Sequence, residues 1–367
     1  MTDWRQYVHR AARIRRFTLG TAAAVLATGM LGACTSDGPA DGGVRAAPEK
    51  SSAAPKPTPT PTPTPKALGA PQVPRHALTG YWQNFRNGAA IERLRDVSDA
   101  YDIIAVSFAD LAGERGEVGF KLDTGGLGGY RVEEFKADIK AKQRAGKSVI
   151  ISVGGEHGKV EVDDAGTAKR FADSVHELMT EYGFDGVDID LENGGVSAEY
   201  MTRALKDLHG RVGPKLVVTM APQTKDMQST DSDYFRTALN IKDFLTVVNT
   251  QFYNSGSMKG CDGKVYQQGT VDFLTALACI QLENGLDPSQ VGLGLPTNSG
   301  NKKAGYVEPE VVNKALDCLT RGTGCGTFKP ARTYPGLRGA MAWSTNWDAK
   351  GGNAWSKAVG AHVRSLP

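Results

Sequence analysis

Residues 185–192 read Asp-Gly-Val-Asp-Ile-Asp-Leu-Glu. Side chains along a β-strand alternate between faces, so Asp188, Asp190 and Glu192 point one way while Val187, Ile189 and Leu191 point the other. Three carboxyls stacked on one face repel one another and lose hydration, which predicts that at least one stays protonated at neutral pH. A carboxyl in that state suits a general acid that protonates a leaving oxygen. Two other readings of the run are weaker. A solvated acidic edge strand would not carry an apolar residue at every alternate position. A divalent-cation site would need ligands converging from other segments. The chain has no Cys-x-x-Cys and its six histidines are scattered, so no zinc spacing is present. Neither a metal nor an organic cofactor is expected.

The acids need a scaffold, and the rest of the chain supplies one. Apolar runs rich in β-branched residues fall at 76–82, 103–108, 148–154, 186–192, 216–221, 245–253, 291–295 and 339–344. Between them lie segments with apolar residues at helical spacing, such as 167–182, 198–212 and 309–319, and a last one at 354–363 closes the series. Eight strand-then-helix units predict an α/β fold of the (β/α)8 TIM-barrel type. A Rossmann-like open sheet is the alternative, but no Gly-x-Gly-x-x-Gly opens a helix after the first strand. Barrel enzymes place their chemistry at the C-terminal ends of the strands, and the acidic run ends the fourth.

With these residues in order, the sequence from about 76 to 365 resembles glycoside hydrolase family 18, the chitinase family, and looks most like its compact bacterial members. The Asp-x-x-Asp-x-Asp-x-Glu pattern is complete as Asp185, Asp188, Asp190 and Glu192. Ser152-Val153-Gly154-Gly155 matches the family's third strand, and Gln251-Phe252-Tyr253-Asn254 its sixth. Gly80-Tyr81-Trp82-Gln83-Asn84 matches the first strand, and Trp343 the terminal tryptophan. The resemblance implies substrate-assisted hydrolysis of β-1,4-linked N-acetylglucosamine with retention, in which the substrate's acetamido oxygen takes the nucleophile's place. It implies Glu192 as general acid and base, Asp190 as the residue that orients the acetamido group, and Asp188 as its proton-sharing neighbour. Tyr253 would donate to the acetamido carbonyl, Gln251 and Asn254 would bind sugar or acetamido groups, and Trp343 would lie under the reactive sugar.

Position suggests further roles. Tyr81, Met220 and Gln223 follow strands at the correct end to line the cleft. Trp347 lies beyond the eighth strand as a sugar platform or a surface aromatic. Asp185 braces the backbone, and Ser152, Gly154 and Gly155 are small residues that leave room for the acids. The span from Leu295 to Gly339 is too short for the α+β insertion that walls the groove in some relatives, which predicts an open cleft and internal cleavage. An endo-β-N-acetylglucosaminidase acting on N-glycans and a non-catalytic lectin on the same barrel are the competing readings. An intact Glu192, Asp190 and Tyr253 argues against the lectin.

Residues 1–33 carry five arginines against one aspartate, then an apolar stretch ending in Leu31-Gly32-Ala33-Cys34. This reads as an export signal followed by a lipobox, with Cys34 the lipidated first residue. Arg15-Arg16 is a poor match to a twin-arginine signal. Residues 34–73 form a Pro/Thr-rich linker that cannot bury a core, leaving 74–367 as the catalytic domain. The total charge is +3, and the signal accounts for more than all of it. A near-neutral body argues against nucleic acid as partner. Expected instead are chitin or N-acetylglucosamine oligosaccharides, membrane contact only through the lipid at Cys34, an extracellular monomer, and two disulfides. Four cysteines besides Cys34 allow three pairings; local ones, Cys261–Cys279 and Cys318–Cys325, are favoured.

Overall fold

The computed structural model describes residues 73–298, 300 and 305–367. The expected signal segment, Cys34 and the linker up to residue 72 lie outside the described residues.

Among the described residues eleven strands form in chain order: β1 (Ala77–Gln83), β2 (Ile103–Leu111), β3 (Val118–Gly119), β4 (Ser148–Gly155), β5 (Gly186–Leu191), β6 (Val217–Met220), β7 (Val247–Gln251), β8 (Ser257–Lys259), β9 (Val265–Gln267), β10 (Val291–Pro296) and β11 (Gly339–Trp343). Parallel pairing runs β1-β2-β4-β5-β6-β7-β10-β11 and returns to β1, closing an eight-stranded barrel. The helices are α1 (Val132–Arg144), α2 (Ala165–Tyr182), α3 (Ala198–Val212), α4 (Asp233–Asn240), α5 (Val271–Glu283), α6 (Pro309–Arg321), α7 (Thr345–Lys350) and α8 (Ala354–Arg364). The (β/α)8 expectation holds, and each predicted strand falls on a barrel strand. Among the described residues no helix is long and apolar enough to cross a membrane.

Local sequence explains the boundaries that matter. Asp164 caps α2 by accepting from the Thr167 amide at 2.7 Å, and Gly183 ends the helix in the left-handed conformation, with φ 82°. The β8–β9 hairpin was not foreseen as a separate element. The hairpin is tied to α5 by Cys261–Cys279, and α6 is tied to the turn behind it by Cys318–Cys325. Both disulfides are the local pairs.

Barrel strands alternate except at an irregularity in β2 between Ser107 and Ala109. On β5, Val187, Ile189 and Leu191 join the large apolar layer between barrel and helices. The barrel interior holds a much smaller apolar cluster of eight buried residues, including Tyr81, Ile150, Val217 and Met341. The interior is therefore free to hold polar groups where it opens.

Candidate active site

The mouth of the barrel is organised around β5. Asp188 is fully buried and is surrounded by hydroxyls. Tyr81 and Ser152 each donate to Oδ2 at 2.7 Å, and Thr219 donates to Oδ1 at 2.5 Å. Register explains the two nearer donors, since Ser152 of β4 and Thr219 of β6 lie directly beside Asp188. Burial pushes the Asp188 carboxyl above its ordinary range, and the three hydroxyls pull the other way. Burial, with the charges of Asp188 and Asp190, holds the Tyr81 phenol far above its usual value, so it remains a donor.

Asp190, one layer higher, is also buried and accepts from the Gln251 amide at 2.9 Å. β5 ends at Leu191, so Glu192 stands one residue past the strand, half-buried at the rim. Gln223 donates to its Oε2 at 3.1 Å and Gln251 to its Oε1 at 3.3 Å. Tyr253 follows β7. Burial keeps its phenol well above the ordinary value, with Asp190, Glu192, Asp188 and Glu156 adding to the effect. Asn254 beside it adopts φ 52°, a left-handed conformation in which asparagine is enriched among side-chain-bearing residues.

Aromatic rings line the opposite side. The half-buried Trp343 ring lies 5.8 Å from the rings of Tyr81 and Phe108, and Phe108 stacks on Phe85 at 6.3 Å. Phe108 reaches this position because the β2–β4 register shifts between Ser107 and Ala109. Such a bulge re-aims a side chain that alternation alone would send outward. Phe108 and Phe85 are therefore site residues that alternation in the sequence does not reveal.

Supporting contacts fix the strand ends. Asp185 accepts from the Val149 amide at 2.8 Å, tying the start of β5 to β4. Tyr234 of α4 reaches the peptide between the two outer acids: the Leu191 amide donates to its hydroxyl at 2.6 Å, and that hydroxyl donates to the Leu191 carbonyl at 3.1 Å. Gly154 has φ 111°, and a Cβ there would fall 2.5 Å from the Asp190 carbonyl oxygen. A Cβ on Gly155 would fall 2.6 Å from the Phe108 ring. Both glycines are required by close approach, to a backbone carbonyl and to an aromatic ring.

Several residues sit differently from expectation. Met220 does not line the cleft. It is fully buried in the layer under the helices, because Thr219 takes the inward position on β6 and parity sends Met220 out. Tyr81 is 1% exposed and acts on Asp188 rather than offering a face to solvent. Ser152 is more than a space-saver, since its hydroxyl holds Asp188. Gln223 and Gln251 give their amides to the acids. Trp347 is neither platform nor surface aromatic but a buried residue of α7, with the Lys350 ammonium 4.9 Å from its ring centroid. Among the described residues no group of three or more His, Cys, Asp or Glu is arranged to hold a metal ion.

A closed (β/α)8 barrel with a rim carboxyl above two buried ones suits the acid chemistry of glycoside hydrolysis. Residues 77–357 match the family described as glycosyl hydrolases family 18, and the chain belongs to that family. Chitinase D of Niallia circulans is 36% identical over 321 residues, which cover 77% of this chain and 60% of that protein. The chain thus spans about 60% of that relative's length. A Streptomyces coelicolor protein solved as a chitinase A candidate is 66% identical, with a TM-score of 0.78 over 80% of this chain and 99% of its own. A family GH18 chitinase from Chromobacterium violaceum is 35% identical, with a TM-score of 0.74 over 81% and 85% of the two chains.

Proposed function

We propose that the chain hydrolyses β-1,4-linked N-acetylglucosamine in chitin and its oligomers, using the substrate's own acetamide as nucleophile. The observation that carries this reading is the placement of Glu192 at the rim directly above buried Asp190, with Tyr253 beside them. Glu192 gives its proton to the glycosidic oxygen as the bond to C1 breaks and the acetamido oxygen bonds to C1. Asp190 accepts from the acetamido N–H and balances the positive charge of the oxazolinium. Tyr253, held protonated by its surroundings, donates to the acetamido oxygen's carbonyl group before attack and fixes a reactive geometry. Glu192 then takes a proton from water as it opens the ring, restoring the acid and the original configuration. Trp343 carries the apolar face of the sugar. The names of the relatives support chitin as substrate. Residues 74–367 are the catalytic unit in this reading, exported by the segment before it and tethered through Cys34, with an open cleft suited to internal cleavage.

The test is hydrolysis of a fluorogenic chitooligosaccharide, with and without a thiazoline that mimics the oxazolinium. Inhibition by the thiazoline and loss of about 10²–10⁴ in kcat for Glu192→Gln are expected. Full turnover by Glu192→Gln would overturn the reading. Preference for a high-mannose glycopeptide over chitotetraose would reassign the substrate to N-glycans.

A further inference from the structure

We infer that Gln223 is a positioning residue that aims the Glu192 carboxyl, a role that rests on Glu192 being the proton donor. Glu192 lies past the last residue of β5, and its side chain has three rotatable bonds. What holds it is a pair of amides, one on each oxygen. Gln251 is overcommitted: its Nε2 faces Asp190 at 2.9 Å, the Ala221 carbonyl at 3.0 Å and Glu192 at 3.3 Å, three acceptors for two hydrogens. The shorter amide contact to Glu192, at 3.1 Å, comes from Gln223.

The backbone under Gln223 is fixed on both sides. It forms a parallel bridge with Gln251, whose amide donates to the Pro222 carbonyl at 2.9 Å. The Gln223 carbonyl accepts from the Asp226 amide at 2.9 Å, and Thr224 next to it donates to Ser255 at 2.7 Å. A side chain delivered from so constrained a turn sets a direction. Its chemical type also matters. A lysine or arginine here could only donate, holding the carboxylate form alone. A carboxamide offers N–H to the carboxylate and, turned over, C=O to the carboxylic acid, so one residue can hold Glu192 before and after it gives up its proton.

The experiment compares kcat/KM for two chitobiosides, one with a methylumbelliferyl leaving group that needs acid assistance and one with a dinitrophenyl group that does not. Both are measured on wild type, Glu192→Gln, Gln223→Met and Gln223→Asn, with thermal melts to show that each folds. Loss of aim of about 1 Å costs up to about 100-fold. Gln223→Met should therefore lose about 10- to 100-fold on the poor leaving group and at most about 3-fold on the good one. Gln223→Asn, too short to reach, should behave alike. Glu192→Gln should show the same discrimination more strongly; if it shows none, the proton-donor reading itself fails. If Glu192→Gln discriminates while both Gln223 variants lose equally on the two substrates, Gln223 is a sugar ligand or a fold determinant and the inference is wrong.

Discussion

Glu92 offers a quantitative check on how the site is supported. It lies in the β1–β2 connection at 6% exposure, accepts from the Thr345 hydroxyl at 3.1 Å, and its carbonyl receives the Trp82 indole N–H at 2.9 Å. Thr345 begins α7, two residues after Trp343. Burial pushes the Glu92 carboxyl from 4.5 to about 7; the Thr345 hydrogen bond opposes this, and the charges of Asp348 and Asp96 reinforce it. At about 1.4 kcal/mol per pH unit this is about 3 kcal/mol of linkage. The sign follows from proton counting. Between pH 4.5 and about 7 the native state keeps a proton that the unfolded chain has released, so stability falls as pH rises through that window and is flat above it. Glu92→Gln imitates the protonated form at every pH. Denaturant unfolding of both proteins from about pH 4 to about pH 8.5 should therefore show the variant gaining about 3 kcal/mol on the wild type across the range. A constant offset between the two curves would refute the reasoning, because other raised acids such as Asp348 are present in both.

Tyr234→Phe removes the hydroxyl that serves both backbone groups of Leu191, leaving two buried polar groups without it. A loss of about 1–3 kcal/mol by denaturant unfolding is expected, with reduced kcat because the peptide joining Asp190 to Glu192 is freed. Gly154→Ala places a methyl 2.5 Å from the Asp190 carbonyl oxygen at φ 111°. It should cost at least about 1–3 kcal/mol and lower activity, whereas wild-type melting and rate would contradict the close approach.

Much of this was legible because one face of each barrel strand is committed to a continuous apolar layer. The alternation from Val187 to Leu191 gave the direction of the acids, and α3 spans the residues that its helical spacing marks. The failures have separate causes. Met220 was assigned to the cleft by its nearness to the strand end, although counting from Thr219 beside Asp188 puts it on the other face. Phe108 was hidden by a bulge, which leaves no periodic trace in its own strand. Tyr234 could not be found from β5 at all, because its contribution depends on how α4 docks against Leu191. Nothing in the sequence around Glu92 marks it as buried; tertiary packing removes it from water.

The polar interior raises the question of how a barrel tolerates it. Below the acids, the Asn249 amide of β7 donates across the barrel to the Thr79 hydroxyl of β1 at 3.3 Å, and Gly292 leaves space beside it, since a Cβ there would meet the Asn249 oxygen at 2.3 Å. Above them, Asp188 takes hydroxyls from three different strands. Each of these groups displaces an apolar side chain from the interior, and each buried polar group is costly unless it is partnered. The cost is bearable because the large apolar layer lies between strands and helices, where Val187, Ile189, Phe171, Leu205 and their neighbours pack out of water. Stability and chemistry are thus assigned to opposite faces of the same strands. On β5 a one-residue shift in register would exchange them, putting carboxylates under the helices and apolar groups at the mouth, so the energetic penalty that fixes the fold is also what aims the acids.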